Sequence, residues 1–401
     1  FEARVDQKRE RMISPVVLVA ALLGAVALAE HGLPPKTTVH KDPKTVLVLF
    51  GTRHGNRNPE KFVEVPGRKW GKEGSLELTS IGKRQAYGLG KEIRAFLGKG
   101  YIDDNYLPGE AKFYSSSANR CQMTLQSATA GIYDPKDWAD WNKNRFDHWS
   151  PVPYTIDDPL LRMYSVKGCT GSDNAWEPIS KDQLPDLKEI IQKNKALLDY
   201  MHEKDGRPAT ISSASDIADN IINMDFYKAP YPEWLAHPTL PGYTAESIKK
   251  AFLNFTENHL NRCATHKPCR EMMGGYWANS MVKSIDDAVA KKASTKLIGY
   301  ASHTEVTLAV MLLMGIEREE LTTSAGFVIE VREDGKLRLL NHDPNPVDKH
   351  VIYPAVLAPN LKSKADKDGW VSVSDFKAFI APVTFSDWEG KCGIATCGKK
   401  N

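Results

Sequence analysis

Hydrophobic residues form short runs of strand length in the first and the last third of the chain. Residues 45–50 are a continuous apolar run, and residues 111–116 and 297–301 are further short segments of strand character. A continuous apolar run is typical of a strand buried on both faces, as in a parallel sheet. Residues 327–331 and 337–341 predict two paired strands around a turn at Asp334 and Gly335.

Helical patterns follow each of the three main strands. Residues 79–97 carry apolar side chains on one stripe, and residues 120–133 repeat apolar residues at helical spacing. Residues 306–314 have little polarity, which predicts a buried helix. Arg120 would therefore begin a helix that follows a strand, a place where backbone N–H groups favour an anion.

The middle of the chain has a different pattern. Across residues 135–275, tryptophan, proline and charged residues become more frequent, and helical stretches such as 187–202 and 245–260 replace the apolar runs. We therefore expect an α/β fold, with a mostly parallel central sheet flanked by helices and a smaller, mainly helical inserted lobe. Residues 43–134 and 276–397 would form a discontinuous α/β catalytic domain, and residues 135–275 a helical cap lobe.

The first predicted strand leads directly into a cationic motif. Residues 53–59 have the sequence RHGNRNP, in which His54 lies between Arg53 and Arg57. Open α/β sheets bind ligands at the C-terminal ends of their strands. Guanidinium groups offer planar, bidentate donors to phosphate, and an imidazole beside them can attack phosphorus. A basic surface loop is the plainer alternative, but a chance match to the motif is on the order of one in 10⁴.

Composition limits the classes of partner. The chain has 401 residues, 41% of them hydrophobic, which is enough for a substantial core. Its formal net charge is only +3 and it has no basic block, so we expect no nucleic-acid partner. Beyond the first thirty residues no segment is apolar enough to span a membrane, so we expect no stable membrane anchor.

The N-terminal residues predict a secretory route. Residues 16–28 are apolar and end in a small-x-small pattern before Glu30, as in a cleaved signal peptide. A buried or membrane helix is the alternative, but the run is short and polar residues follow it. We therefore interpret residues 1–29 as upstream residues plus a signal peptide. The mature protein would be secreted, or held in the lumen of the secretory or lysosomal route.

Six cysteines, an even number, predict disulfide bonds in a secreted protein, and their spacing does not form a zinc site. They are Cys121, Cys169, Cys263, Cys269, Cys392 and Cys397. A small disulfide loop is the simplest interpretation of Cys263 and Cys269, and the other pairings stay open at this point. The sequon at Asn254 is compatible with a glycoprotein.

Several segments together resemble the histidine acid phosphatases, the branch-2 histidine phosphatases. Besides the first motif, they are residues 78–90, 116–133, 301–305 and 326–330. The resemblance extends over about residues 43–397, and the closest type is the arthropod secreted and venom acid phosphatases. It implies that Cys169 pairs with a C-terminal cysteine. Cys121 lies beside Arg120 in the sequence, and we expect it to be a free buried thiol.

The resemblance also implies a role for each site residue. His54 would be the nucleophile, which becomes a phosphohistidine, and His303 would donate a further hydrogen bond to the phosphoryl group. Three arginines would bind the phosphoryl oxygens: Arg53, Arg57 and Arg120. They would replace the charge of a metal ion, so we expect neither a metal nor another cofactor. Three nearby cations should also lower the pKa of His54.

The proton donor is where the sequence departs from the family. An aspartate usually follows the second histidine directly, but this chain has Thr304 there and Glu305 one residue later. We expect Glu305 to be the donor, an arrangement that resembles the inositol-polyphosphate phosphatases of the family. The alternative is an ordinary solvated carboxylate at a helix N-terminus.

The function expected from these features is a secreted, metal-independent acid phosphatase that hydrolyses small-molecule phosphate monoesters. Two alternatives stay open. The protein could be a non-catalytic secreted homologue that binds an anion or another ligand, or it could be an inositol-polyphosphate phosphatase. The sequence does not decide the oligomeric state, a homodimer included.

Overall fold

A computed structural model describes residues 39–136, 149–345 and 347–394 of the chain. The expected signal peptide and Cys397 lie outside the described residues. None of the described helices is both long enough and apolar enough to cross a membrane.

A mixed sheet of eight strands forms the centre of the described structure. Its strands are β1 (Thr45–Arg53), β2 (Ala111–Ser115), β3 (Thr155–Ile156), β4 (Leu297–Ser302), β5 (Gly326–Arg332), β6 (Lys336–Pro344), β7 (His350–Pro354) and β8 (Val371–Ser372). The order is β3-β2-β4-β1-β5-β6-β7, and β8 pairs with β6. Strands β3, β2, β4 and β1 are mutually parallel, whereas the pairs β1–β5, β5–β6 and β6–β7 are antiparallel.

Helices flank this sheet and fill the middle of the chain. They are α1 (Ser80–Leu97), α2 (Asn119–Ile132), α3 (Asp158–Leu161), α4 (Thr170–Ser180), α5 (Pro185–Lys193), α6 (Lys195–Asp205), α7 (Ile211–Tyr227), α8 (Glu233–Ala236), α9 (Ala245–Leu253), α10 (Asn258–Thr265), α11 (Lys267–Val289), α12 (Thr304–Leu313), α13 (Pro359–Lys362), α14 (Val373–Ile380) and α15 (Trp388–Cys392). The predicted α/β class, with parallel strands at the centre of the sheet, is confirmed.

Strand β1, in the parallel half of the sheet, is buried at all but one of its positions. Val48, Leu49 and Phe50 have no exposed surface, because helices cover both faces of the sheet around them. Helix α1 then packs directly against the loop that follows β1. A side chain at Gly82 would approach the backbone oxygen of Asn56 to 2.2 Å, so glycine is needed there to seat the cationic motif on the helix.

Two long helices expected in the middle of the chain are each broken. The stretch 187–202 divides into α5 and α6 at Asn194, whose side chain donates to the backbone oxygen of Ile190. Asparagine competes for backbone hydrogen bonds in this way and so favours helix ends. The stretch 245–260 divides into α9 and α10, and Glu257 at the break adopts a left-handed φ of 58°.

The division into domains stays a proposal. Residues 149–275 contain helices and one short strand, β3, which pairs with β2 of the sheet. Helix α11 runs from Lys267 to Val289 and so continues past residue 275.

One disulfide joins the helical region to the C-terminal helix α15, and another closes a short loop within the helical region. Cys169 bonds to Cys392, 223 residues further along, and Cys263 bonds to Cys269. The predictions for Cys169 and for the small loop are therefore confirmed. Cys121 is a buried free thiol, also as predicted, and its Sγ lies 3.5 Å from Nε2 of His303.

Candidate active site

The C-terminal ends of three parallel strands meet at one edge of the sheet. Arg53 at the end of β1 lies opposite Ser302 at the end of β4, and Ser115 at the end of β2 lies opposite Ala301. The backbone N–H of His54 donates to the oxygen of Ser302 at 3.0 Å. This register brings together three segments that are far apart in sequence and that begin just after each strand.

His54 is buried, with 3% of its surface exposed, and one of its nitrogens is fixed. Nδ1 lies 2.8 Å from the backbone oxygen of Gly55. A carbonyl oxygen only accepts, so Nδ1 carries the proton and Nε2 keeps its lone pair. Burial, followed by the charges of Arg120 and Arg53, lowers the pKa of His54 well below its ordinary value. The ring is therefore neutral, and Nε2 is free to act as a nucleophile.

His303 lies beside His54, with the two ring centroids 5.6 Å apart and the rings at 74°. Arg120 Nη2 lies 3.2 Å from Nδ1 of His303, and Nε2 lies 2.9 Å from Oγ of Ser116. Guanidinium only donates, so Nδ1 is the accepting nitrogen and Nε2 carries the proton. Burial and Arg120 lower the pKa of His303 as well. Its predicted hydrogen bond to a phosphoryl group would replace one of these contacts.

Two of the three arginines have a buried N–H group that is available to bind a ligand. Nε of Arg53 and Nε of Arg120 are buried and make no hydrogen bond within the described residues. Buried donors without a partner are rare in proteins, so these groups fit an oxygen-rich anion. Arg57 donates through Nη1 to the Asp219 carboxylate at 2.8 Å and to the backbone oxygen of Asn58 at 3.0 Å.

Glu257 is a site residue that the sequence did not indicate. Its Oε1 accepts from Nη2 of Arg53 at 2.6 Å, and its Oε2 accepts from the hydroxyl of Thr304 at 2.9 Å. Burial alone would raise the pKa of Glu257, but Arg53 and Arg57 outweigh it and hold the pKa below its ordinary value. Glu257 is thus an ionised carboxylate joined to the residue that stands where the family has its aspartate.

Glu305 lies in the first turn of α12 and is buried, with 4% of its surface exposed. It is therefore not a solvated helix-end carboxylate. Burial raises the pKa of Glu305. Hydrogen bonds from its own backbone and from Tyr164 oppose this rise. The charge of Glu257 raises this pKa further, and the charge of Arg120 lowers it. A raised pKa favours the protonated form that a proton donor needs.

Asp219 of α7 is the second carboxylate that the sequence did not indicate. Burial raises its pKa to about 6, even though the ion pair with Arg57 acts in the opposite direction. Glu257, which lies against the same arginines, adds to the increase. The pKa of Glu257 falls because the attraction of Arg53 and Arg57 and the hydrogen bond from Thr304 outweigh its burial, whereas at Asp219 burial outweighs the attraction of Arg57 and Arg53.

These features define a class: an α/β protein whose strand ends bring one buried, neutral histidine together with three arginines and a second histidine. The chain belongs to the histidine phosphatase superfamily, branch 2, whose family model matches residues 44–328. The predicted family and the predicted enzyme class, a phosphoric monoester hydrolase, are confirmed.

Particular relatives extend this assignment. The chain is 24% identical to the lysosomal acid phosphatase of Xenopus laevis over 391 residues, which cover 94% of this chain and 82% of that protein. It is 30% identical to venom acid phosphatase Acph-1 of Apis mellifera over 124 residues, 28% of this chain and 30% of the relative. The phytase of Hafnia alvei shares the fold, with a TM-score of 0.61 at 14% identity over 87% of this chain and 98% of the phytase.

Proposed function

We propose that this protein is a secreted acid phosphatase that hydrolyses phosphate monoesters through a phosphohistidine at Nε2 of His54. The observation that carries the proposal is a neutral imidazole with one free nitrogen, at the point where Arg53, Arg57 and Arg120 converge. Membership of the histidine phosphatase superfamily and the similarity to acid phosphatases support it. The same comparisons do not favour a non-catalytic binder.

In the first step, the lone pair of His54 Nε2 attacks phosphorus. The P–N bond forms while the bond from phosphorus to the ester oxygen breaks, and the leaving oxygen takes a proton from the Glu305 carboxyl group. The guanidinium groups of Arg53, Arg57 and Arg120 oppose the negative charge on the phosphoryl oxygens as it redistributes in the transition state. This positive charge is present without a metal ion.

In the second step, water attacks the phosphorus atom of the phosphohistidine. The Glu305 carboxylate takes a proton from that water, the P–N bond breaks, and His54 returns to its neutral form as inorganic phosphate leaves. Glu305 thus ends the cycle protonated, as it began, so that one residue is both acid and base. Splitting the hydrolysis into two displacements lowers the barrier of each.

The two shifted pKa values suit an acidic working pH. The lowered pKa of His54 keeps its nitrogen unprotonated below pH values at which a free histidine would be charged. The raised pKa of Glu305 keeps the donor protonated in mild acid, above the range of an ordinary glutamate. The nucleophile and the acid are therefore both in their active forms over the same acidic interval.

The secretory route is supported by the covalent structure and by the relatives. Two disulfides stabilise the helical region, and disulfides persist in oxidising compartments. Asn254, which carries the sequon, is exposed at the end of α9 and so is accessible to a glycosylating enzyme.

Trapping the intermediate tests this proposal directly. The protein is mixed with a ³²P-labelled aryl phosphate at about pH 5, quenched in alkali and digested, because phosphohistidine is stable in base. We expect the label on His54 and none on a His54→Ala variant. A label on another residue, or turnover by the wild-type protein with no labelled histidine at any time point, would overturn the proposal.

A further inference from the structure

The two nitrogens of the His303 ring have different surroundings. Nε2 lies 2.9 Å from Oγ of Ser116 and 3.5 Å from Sγ of Cys121, and both of these residues are fully buried. Nδ1 lies 3.2 Å from Nη2 of Arg120, one of the proposed phosphate-binding groups. Buried side chains therefore occupy the Nε2 side of the ring, and Nδ1 is the nitrogen left for a phosphoryl group that Arg120 binds.

The proton of His303 is on the other nitrogen. Arg120 donates to Nδ1, so the proton of the neutral ring is on Nε2 and is directed to Ser116. When Arg120 donates to an unprotonated phosphoryl oxygen instead, that oxygen and Nδ1 are both acceptors and cannot bond to each other. A hydrogen bond from His303 to this oxygen requires a proton on Nδ1, and a neutral ring then has a bare lone pair on Nε2.

Ser116 is the neighbour that can donate to this lone pair. A hydroxyl group accepts or donates by rotating, so it can pair with Nε2 in either state of the ring. Cys121 cannot replace it, because its thiol already donates to the backbone oxygen of Ser302 at 3.2 Å. Burial, followed by the charge of Arg120, lowers the pKa of His303, which disfavours the alternative of a ring with two protons.

We propose that Ser116 is a positioning residue, which allows His303 to change from the Nε2–H to the Nδ1–H tautomer when an oxyanion binds. This inference rests on the proposed phosphatase function and adds a residue that the second histidine needs. In the free protein Ser116 accepts from Nε2. In the bound state Ser116 donates to Nε2, while Nδ1 donates to the phosphoryl oxygen. The ring releases one proton to water and takes one from water, so it stays neutral.

The first test measures the tautomer of His303 directly. The ligand is inorganic sulfate, which carries no proton at about pH 7 and therefore only accepts hydrogen bonds. NMR spectra of ¹⁵N-histidine-labelled wild-type protein are recorded without sulfate and close to saturation. The His303 signals are identified by their loss in His303→Gln. We expect the protonated nitrogen to be Nε2 in the free protein and Nδ1 in the sulfate complex. A merely structural contact at Ser116 would not produce this change.

The second test removes the hydroxyl group. Ser116→Ala leaves the Nε2 lone pair without a donor in the bound state, so the inhibition constant of sulfate against p-nitrophenyl phosphate should rise about tenfold. Ser116→Thr restores a hydroxyl and should stay within about threefold of the wild type. The matched control is Ser172→Ala in α4, a buried serine whose Oγ has no hydrogen-bond partner among the described residues. It should stay within about twofold of the wild type.

Three results would overturn the inference. They are the same His303 tautomer with and without sulfate, a ring with two protons in the sulfate complex, or equal affinity of Ser116→Ala and the wild type for sulfate. If Ser116→Ala does not fold, the wild-type tautomer decides alone, because a proton that stays on Nε2 needs no donor from Ser116. If the wild type hydrolyses no phosphate ester, the proposed function fails. The NMR experiment and calorimetric binding of sulfate then still test Ser116.

Discussion

Two pairs of buried histidines lie along β1 and its C-terminal end. His54 and His303 have ring centroids 5.6 Å apart, and His342 and His350 have centroids 5.7 Å apart. Nε2 of His342 contacts the backbone oxygen of Gly51, only three residues before His54. Burial lowers the pKa of all four rings, so all are neutral in the folded protein near neutral pH.

The neighbours of the two pairs differ. Beside the first pair lie arginines with unpaired N–H groups, and His54 keeps a free nitrogen. Near the second pair, Arg318 is ion-paired with Asp343 at 2.6 Å. Neither ring nitrogen of His350 has a hydrogen-bond partner among the described residues, although the backbone of Gln85 opposes the lowering of its pKa. A lowered histidine pKa therefore does not identify an active site by itself. The first pair is distinguished by Arg120, a guanidinium that makes no ion pair within the described residues and lies 3.2 Å from His303.

The largest effect that separates the pairs is on turnover. His54→Ala should reduce kcat on p-nitrophenyl phosphate by at least about 10⁴-fold, because no other group can form the covalent intermediate. His350→Gln should leave kcat within about twofold of the wild type. Initial rates at about pH 5, with circular dichroism to check folding, make the measurement. Comparable losses of kcat in the two variants would show that the two histidine pairs do not differ in their importance for turnover.

A smaller effect is expected at Glu305, the proposed proton donor. Glu305→Gln should lower kcat about 10²- to 10³-fold for an alkyl phosphate, whose leaving group needs a proton. The loss should be only about tenfold for p-nitrophenyl phosphate, since nitrophenolate leaves without one. The measurement is the ratio of kcat for the two substrates. If Thr304→Ala is more harmful than Glu305→Gln, the donor is not Glu305.

Replacing Glu257, the carboxylate that is ion-paired with Arg53, should change substrate binding and protein stability more than kcat. Glu257→Gln removes the partner of a buried guanidinium, so we expect the free energy of unfolding to fall by about 3 kcal/mol. KM should rise about tenfold, since the freed guanidinium no longer holds one orientation. Chemical denaturation and steady-state kinetics measure the two quantities.

Thr304→Ala is the control for Glu257→Gln. It removes the hydroxyl that Glu257 accepts from but leaves the ion pair intact. Its cost should be about 2 kcal/mol, a usual value for one hydrogen bond to a charged group. A cost equal to that of Glu257→Gln would mean that the hydroxyl contact, and not the charge on Arg53, determines stability here.

The sequence predicted the parts of the site that sit on strand ends. A buried strand followed by RHGNRNP can be recognised in the sequence because apolar runs, glycine and arginine each form a local pattern. The C-terminal ends of parallel strands meet at one edge of the sheet, which predicts that the residues after them lie together. Residues 119–132 and 304–313 likewise form the helices expected there, so Arg120 and His303 occupy their predicted positions.

Glu257 and Asp219 could not be predicted in the same way. The pattern of residues 245–260 indicated one continuous helix, but Glu257 breaks it with a left-handed backbone and contacts Arg53, which is 204 positions away. Asp219 occupies an ordinary polar position of an amphipathic helix, and its partner lies 162 positions away. Counter-charges that come from a distant helix have no local sequence signal.

The smallest effect on activity, and a clear one on stability, concerns the second histidine pair. Above a pH of about 6.5 the imidazoles are neutral in both the folded and the unfolded state. Below it the unfolded chain binds protons that buried His342 and His350 do not bind, so the free energy of unfolding falls as the pH falls. For His342 the fall continues until the pH reaches about 4, its pKa in the folded protein. Each ring should cost about 1.4 kcal/mol per pH unit over this interval.

Replacing one histidine of this pair with an apolar side chain should reduce the pH dependence of the free energy of unfolding and leave catalysis unchanged. We expect His350→Leu to lose less stability than the wild type between about pH 6.5 and 5, by about 2 kcal/mol, because the variant no longer excludes a proton at this position. Urea denaturation at several pH values measures the slope, and kcat should stay within about twofold. His237, a histidine at the end of a short surface helix, provides the matched control as His237→Leu, which should leave the slope unchanged. If the free energy of unfolding has the same slope against pH in His350→Leu and in the wild type, His350 already accepts its proton in the folded state. The second pair would then differ from the first in protonation as well as in its neighbours.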